Sequence, residues 1–565
     1  MDANDQFTAQ KLGGKPGGSR RCRQAQIVAR AQRIGFWWQS QRQVALELGV
    51  ADSSFRHCLQ QYQQRCQAGC FSRRVVAFCE SPDGLEFLQG LFVALHLVFV
   101  QANDAGLRNV TWFLRLSGLD EFLPASYGVQ QAFAAQMETA LAEFGREEEQ
   151  RLAAQMPPQQ ISLCEDETFH PQICLVAIEP VSNYLLLEEY SPKRDAETWN
   201  QVLDERLAGW PVTVCQVTSD EAKALIAHAE KHLGAQHSPD LFHVQHETVQ
   251  ATGLALAGQT RRAHQAVADA QPQTAARRAE LAACQQQCPQ STHVAEVQRQ
   301  VEQAVTAEAE ARQRLATCQQ RQRQATEARH GLSHDYHPIN VETVQAVSAD
   351  EVAGRLSGHF DRLEQIAREA GLSTQVHERL AKARRVLPEM RSTIAFFWAT
   401  VAARLAAWQL SATVTTWLRE ELIPGLYLER AAEKVSTSAE RQRWRTRAAE
   451  ILARARSPDS VWGTLSETER ADLESKARQC ANLFQRSSSC VEGRNGQLSL
   501  RHHGLHRLTA RKLKALRVLH NFLAERPDRT TAAERFFGAR PQPLFPWLLA
   551  RLPLPERPRT PRRAR

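Results

Sequence analysis

Residues 161–220 read ISLCEDETFHPQICLVAIEPVSNYLLLEEYSPKRDAETWNQVLDERLAGWPVTVCQVTSD, and the alternation inside this stretch sets the architecture around it. Ile161 to Cys164, Ile173 to Ile178 and Tyr184 to Leu187 are apolar runs of strand length separated by polar, Pro, Ser and Asn breaks, which predicts three sequential strands. Asp195 to Ala208 then spaces Trp199, Val202, Leu203 and Leu207 as a helix does, and Val212 to Val217 returns to a strand. A helix over Glu221 to Leu233 and a fifth strand over Leu241 to Val244 complete the order β-β-β-α-β-α-β-α. In that order the first and fourth strands can lie side by side and parallel, so Asp166 after the first and Asp220 after the fourth converge at matching C-terminal ends. Two carboxylates held that close repel unless a cation sits between them, and hard oxygen ligands suit Mg2+ or Mn2+. Glu165, Glu167 and Glu221 flank these aspartates, so a neighbouring acid is an alternative at each place.

On the N-terminal side, Met156-Pro157-Pro158 breaks a run of helices over 81–155 and marks a boundary near 157. The apolar run Leu91 to Val100 falls short of the roughly 20 residues a membrane helix needs and reads as a buried helix. Residues 41–62, QRQVALELGVADSSFRHCLQQY, carry Val44, Leu48, Val50, Phe55 and Cys58 where two short packed helices need apolar contacts, with Gly49 at the turn. Ser53 or Ser54 is placed to cap the second helix, which would present Arg56, His57, Gln60 and Gln61 to DNA as a helix-turn-helix does. The alternative is an ordinary helical hairpin. Arg20, Arg21, Arg23, Arg30 and Arg33 lie just upstream, after a polar tail over 1–20 with no secretory pattern.

On the C-terminal side, residues 248–330 are dominated by Ala, Gln, Arg and Glu, a composition for long exposed helices that Pro289 divides into the two arms of a hairpin. Ile394 to Leu418 packs aromatics at helical intervals, so Trp398, Trp408 and Trp417 read as core rather than as platforms for a base. Beyond them, SSSCVEGRNGQLSLRHHGLHRL carries Glu492 as the candidate third acid. Ser489-x-x-Glu492 also has the spacing of a capping box, in which the glutamate only satisfies a helix start. The formal charge of +8 is mild for 565 residues, but Arg501 to Arg517 holds six Lys/Arg and three His without an acid. Arg494, Arg501, Arg507, Arg511, Lys512 and Lys514 are therefore candidates for backbone phosphates, with a solvated helix face as the alternative. Thirteen cysteines, an odd number without secretory context, read as reduced thiols.

DET at 166, TSDEAKAL at 220, PDLFH at 239 and CVEGRNGQLSLRHHG at 492 together resemble the DDE-type transposases of bacterial insertion sequences. The resemblance covers residues 160–250 and 475–525 and the rest by architecture only. It implies a multidomain α plus α/β chain whose RNase H-like mixed sheet core is interrupted by a large helical insertion and preceded by the helix-turn-helix. It also implies metal-dependent cleavage at transposon ends and strand transfer into target DNA, with Asp166, Asp220 and Glu492 holding two Mg2+ or Mn2+ ions. Asp240-x-x-His243 looks like the D-x-x-H pair associated with such active sites; a capping aspartate beside a packed histidine is the alternative. The expected domains are a tail over 1–20, the DNA-binding region over 21–80 and a helical linker over 81–157. The core over 158–247 follows, then the insertion over 248–472, the core's return over 473–526 and a basic tail over 527–565. DNA ends and target are the implied partners, with self-association to pair two ends, no membrane, and a cytoplasmic, DNA-associated location in a bacterium. A transposase-derived DNA-binding protein whose chemistry has decayed is the rival reading.

Overall fold

The computed structural model describes residues 41–67, 71–287, 292–435, 437–505 and 508–556. The tail over 1–20, the arginines between Arg20 and Arg33, Pro289, Arg507 and residues 557–565 lie outside the described residues.

Helices α1 (Gln41–Glu47) and α2 (Asp52–Gln67) form a small unit of their own, in which Val44, Ala45, Phe55 and Cys58 make a separate core. Gly49 between them has φ +63°, a conformation that costs glycine little. Phe55 N donates to Ala51 O at 3.0 Å, so the first turn opens at Asp52. Ser53 and Ser54 thus lie inside that turn and do not cap it. An aspartate there is favoured by the helix dipole.

Helices α3 (Arg73–Cys79), α4 (Pro82–Leu95), α5 (Leu107–Leu116) and α6 (Tyr127–Ala153) follow, and α4 runs on through a π-helical segment at His96–Ala102. With that segment the span Pro82–Ala102 is 21 residues, longer than the apolar run Leu91 to Val100 and by length and composition alone enough to cross a membrane, but, as expected, it packs as a core helix. Its Leu88, Phe92, Val93, Leu97 and Val100 are buried in the same core as the sheet. Residues 81–157 are accordingly one wall of that core, not the separate linker domain expected.

The sheet comprises β1 (Gln159–Phe169), β2 (Ile173–Glu179), β3 (Tyr184–Ser191), β4 (Val212–Ser219) and β5 (Gln236–Pro239), in the order β3-β2-β1-β4-β5. β2 is antiparallel to β1 and β3, whereas β1, β4 and β5 run parallel. Helix α7 (Ala196–Leu207), capped by Asp195 accepting from Thr198 N at 2.9 Å, connects β3 to β4. Helix α8 (Lys223–Ala227), continued by a π-helical segment at His228–His232, connects β4 to β5. The fifth strand is one correction to the reading. It lies at Gln236–Pro239, while Leu241 to Val244 begin a helix: Asp240 accepts from Phe242 N at 2.9 Å, and Leu241 and Val244 are buried at i,i+3 spacing. A second correction is that β1 continues to Phe169, so Asp166 lies within the strand and pairs with Val176.

That helix is α9 (Leu241–Gln287), and α10 (Thr292–Asp335) returns along it. Thr274 bonds Ala304 O at 3.2 Å and Arg329 bonds Thr252 Oγ1 at 3.0 Å, an antiparallel register. Helices α11 (Ala349–Glu369), α12 (Thr374–Arg384), α13 (Leu387–Ala407), α14 (Ala412–Trp417), α15 (Ile423–Glu433), α16 (Ser438–Ala455) and α17 (Glu467–Ala481) build a second core with the root of this hairpin. Trp398 and Trp417 pack into it, their indole N–H groups donating to Val347 O and Ala455 O. This core runs from Leu241 to Phe484, so the junctions fall at both ends outside the 248–472 expected.

The chain then rejoins the first core through α18 (Ser489–Leu505), α19 (Ala510–Phe522), α20 (Ala532–Phe537) and α21 (Leu544–Arg551). Ala533, Phe536, Phe537, Leu548 and Leu552 are buried there, and residues 527–552 are consequently structural rather than a basic tail. The whole is an α plus α/β molecule with a small mixed sheet and a large helical insertion.

Candidate functional site

β1 and β4 pair in parallel as far as Cys164 and Thr218, and Asp166 and Asp220 stand two residues beyond that pair on each strand. β4 and β5 pair as far as Ser219 and Pro239, which puts Asp240 next to Asp220. Asp220 and Asp240 thus follow the ends of β4 and β5, and Asp166 lies at the same level within the longer β1, at the edge where open α/β sheets bind ligands. Helix α18 crosses this edge. Ser488 just before it gives its backbone N–H to Asp240 Oδ1 at 3.1 Å and its hydroxyl to Asp240 Oδ2, while Leu241 N donates to Arg486 O at 3.0 Å. The outgoing and returning ends of the insertion are tied together at Asp240, and this fixes where the first turn of α18 projects.

Glu492 lies in that turn. Its Oε1 is 3.6 Å from His243 Nε2, and Asp240 Oδ2 is 3.8 Å from the same nitrogen. One ligand atom from each of Asp240, His243 and Glu492 lies within 4.8 Å of the others, an arrangement able to hold a metal ion. His243 Nε2 is buried without a hydrogen-bond partner, as a nitrogen awaiting a ligand would be. Asp166 is held from the other side by Asn495 Nδ2 at 2.8 Å, one turn beyond Glu492 on α18. Burial pushes the Asp166 carboxyl up to about 7, with Glu492 and Asp220 adding to the rise and a backbone hydrogen bond and His243 opposing it. Asp220 Oδ1 accepts from Ala222 N at 3.0 Å. The donors therefore suit a divalent cation: oxygen ligands for a hard ion, and one imidazole.

Strand alternation separates these acids from their neighbours. Glu165 is fully buried on the opposite face, 3.7 Å from His228 Nε2, and both its oxygens lack hydrogen-bond partners. Glu167, also on that face, accepts from Trp199 Nε1 at 3.2 Å and Arg194 at 3.1 Å. Neither faces Asn495 or His243, and Glu221 is exposed.

The basic candidates fare differently. Arg494 is buried, 5 % exposed, in a two-pronged ion pair with Glu188 at 2.5 and 2.7 Å, which corrects its assignment to phosphate. Lys512 is likewise buried, donating to Val100 O and Gln101 Oε1 at 2.8 Å each. Arg501 is tied to Asp104 at 2.7 Å and Ala102 O at 2.8 Å. Both hold the end of the π-helical segment. Arg511 pairs with Glu138 at 2.8 Å with half its side chain in solvent, and Lys514 is exposed. On α2, Arg56 pairs with Asp52, His57 bonds Gln61 at 2.9 Å, and Gln60 is exposed, so these side chains lie on the outer face of the helix pair.

The sequence reading passed over Asn495, although Glu492-x-x-Asn495 has the i,i+3 spacing that puts two side chains on one helix face. Ser488 had no such signal, since its role depends on the insertion closing onto Asp240.

A family of unknown function, DUF6399, matches residues 418–564, a segment that includes Glu492 and Asn495 and leaves the strand aspartates outside it. No curated protein matches the chain, and no solved structure does.

Proposed function

We propose that this chain is a DNA transposase of the DDE type, cleaving strands at the ends of its own element and transferring them into target DNA, with Mg2+ or Mn2+ held by Asp166, Asp220 and Glu492. One observation carries the reading. Carboxylates from three segments remote in sequence share one electrostatic field at the carboxyl edge of a mixed sheet, where burial and mutual repulsion push Asp166 up to about 7. The strand order β3-β2-β1-β4-β5, with only β2 antiparallel to its neighbours, supports an RNase H-like core. The glycine turn between α1 and α2 and the outward Arg56, His57 and Gln60 support a helix-turn-helix that reads DNA. Because two ends must be brought together, self-association belongs to the same reading.

A bound divalent cation would activate the attacking oxygen and neutralise charge developing on the phosphoryl group. The chain's own contribution is positional. Asn495 holds one oxygen of Asp166, Asp240 anchors α18 through Ser488, and His243 stands between Asp240 and Glu492. The 3.6 Å approach of Glu492 to His243 and its raising effect on the Asp166 carboxyl support counting it with both acid sets. Incubating the purified chain with end-containing DNA tests this: nicks are expected in Mg2+ or Mn2+ and none in EDTA. DNA binding without nicking in any divalent metal would favour the catalytically decayed relative, and neither binding nor nicking would sink the reading altogether.

A further inference from the structure

A cavity of about 250 Å³ opens where the insertion joins the core, walled in part by chain neighbours of Asp240 and Glu492. Leu241 and Phe242, which follow Asp240, line one side, and Ser487 and Ser489, which precede Glu492, line another. The remaining wall comes from the insertion and carries Arg430, Lys434 and Arg486, and no Asp or Glu is among the lining residues. Three cations facing one space without a carboxylate is the inverse of the neighbouring cluster.

These cations are not fully committed elsewhere. Arg430 gives two N–H groups to Ala481 O and Phe484 O, and Arg486 gives one nitrogen to Ser333 O and Tyr336 O, so each guanidinium retains donors. No hydrogen bond or ion pair among the described residues ties up the Lys434 ammonium. An independent sign is His337, which lines the cavity, is 2 % exposed, and leaves Nε2 buried without a partner. Its Nδ1 lies 2.5 Å from Tyr427 Oη. Burial, then Arg486, hold this imidazole well below its usual pKa, and burial keeps the Tyr427 phenol protonated. In the tautomer in which Tyr427 donates to Nδ1, the neutral ring carries its proton on Nε2, which meets no acceptor among the described residues.

We propose that this cavity is an anion site that receives a terminal phosphate of a nucleic-acid strand whose adjoining backbone lies across the acid cluster. A phosphomonoester is a dianion with three acceptor oxygens, which matches three cations and an unpaired imidazole N–H. The identity of the strand rests on the transposase reading; the anion chemistry rests on the cavity alone.

The test measures binding of short single-stranded oligonucleotides carrying a 5′-phosphate, a 3′-phosphate or neither to the full chain in EDTA, so that no cleavage intervenes. One phosphorylated end is expected to bind on the order of tenfold tighter than the unphosphorylated strand. Lys434→Gln should remove that preference and Lys434→Arg restore it, with circular dichroism confirming an unchanged fold. Equal affinity for all three strands, or an undiminished preference in Lys434→Gln, overturns the proposal. Competition by inorganic phosphate without any end preference overturns the strand-end assignment and leaves a free-phosphate site. Failure here leaves metal-dependent nicking untouched, whereas loss of nicking with the end preference retained would refute the transposase reading alone.

Discussion

The acidic edge of the sheet and the basic helices α18 and α19 look complementary in sequence, but the fold treats their charges in opposite ways. At the sheet edge, Asp240 and Glu492 flank His243, Asp166 feels the charges of Glu492 and Asp220, and among the described residues no Lys or Arg forms an ion pair with these acids. Along α18 and α19, Arg494, Arg501, Arg511 and Lys512 are each bound to an internal carboxylate or carbonyl. Formal charge in a sequence is therefore a poor guide to free charge. A cluster left unbalanced is where a ligand belongs, and a balanced one is architecture.

The most severe way to break this contrast is at the acids. Asp166→Asn keeps the shape and the Asn495 contact within reach while removing the charge, so metal-dependent nicking should fall on the order of a thousandfold or more, with DNA affinity kept. Time courses on end-containing DNA in Mg2+, beside a mobility shift, read both quantities. Cleavage by the variant at the wild-type rate would place the chemistry elsewhere.

On the basic side the expected loss is stability, not chemistry. Arg494→Ala strands Glu188, a buried carboxylate on β3, without its partner and should cost about 3–5 kcal/mol. Thermal unfolding followed by near-UV circular dichroism measures it. Replacing both partners by apolar residues of similar volume, Arg494→Met with Glu188→Leu, should recover most of that loss, and DNA affinity of the double variant should match the wild type. A weaker affinity in the double variant would mean that Arg494 reaches phosphate after all.

A smaller effect is expected on α2, whose polar side chains are outward and held only by one another. Arg56→Ala should weaken DNA binding by about 1 kcal/mol, with a shallower salt dependence, and leave the melting temperature of the sheet core where it was. An unchanged affinity across a salt titration would identify α1 and α2 as an ordinary helical pair.

How much of this was legible follows from where each constraint lies. The runs Ile173 to Ile178 and Tyr184 to Leu187 announce strands because β2 and β3 are buried on both faces, and the convergence of Asp166 and Asp220 follows from chain order alone. The fifth strand was displaced because Gln236–Pro239 is short and polar, with no apolar alternation, while Leu241 to Val244 looks apolar as the first turn of a helix also does. The junctions of the insertion were misplaced for a similar reason. Its core begins in the first turn of α9, and nothing in the local composition marks that point. The partners of Arg494 and Lys512 lie on β3 and in the π-helical segment, more than 300 residues away, and no local pattern reveals such pairing. Long-range pairing also makes the cationic cavity invisible, since Arg430, Lys434 and Arg486 carry no motif.

The finest effect expected is a pH dependence that only the unbalanced side should show. Asp166 titrates near 7 in the folded chain, mainly through burial, against about 4 for an unfolded aspartate. Below pH 4 both states hold the proton and the group costs nothing. As the pH rises toward 7 the unfolded chain releases its proton first, so the folded state loses stability across that window and no more above it. The full shift overstates the cost, because the side chain is partly open to solvent, and about 1–2 kcal/mol is a fair expectation. Metal-free Asp166→Asn should accordingly melt higher than the wild type at pH 8 and nearly with it at pH 4.5. Saturating Mn2+ should reverse the order at pH 8, since binding to the folded state alone stabilises the wild type by mass action. A gap between the two proteins that stays constant from pH 4.5 to 8, with or without Mn2+, would mean that Asp166 is not held short of a cation.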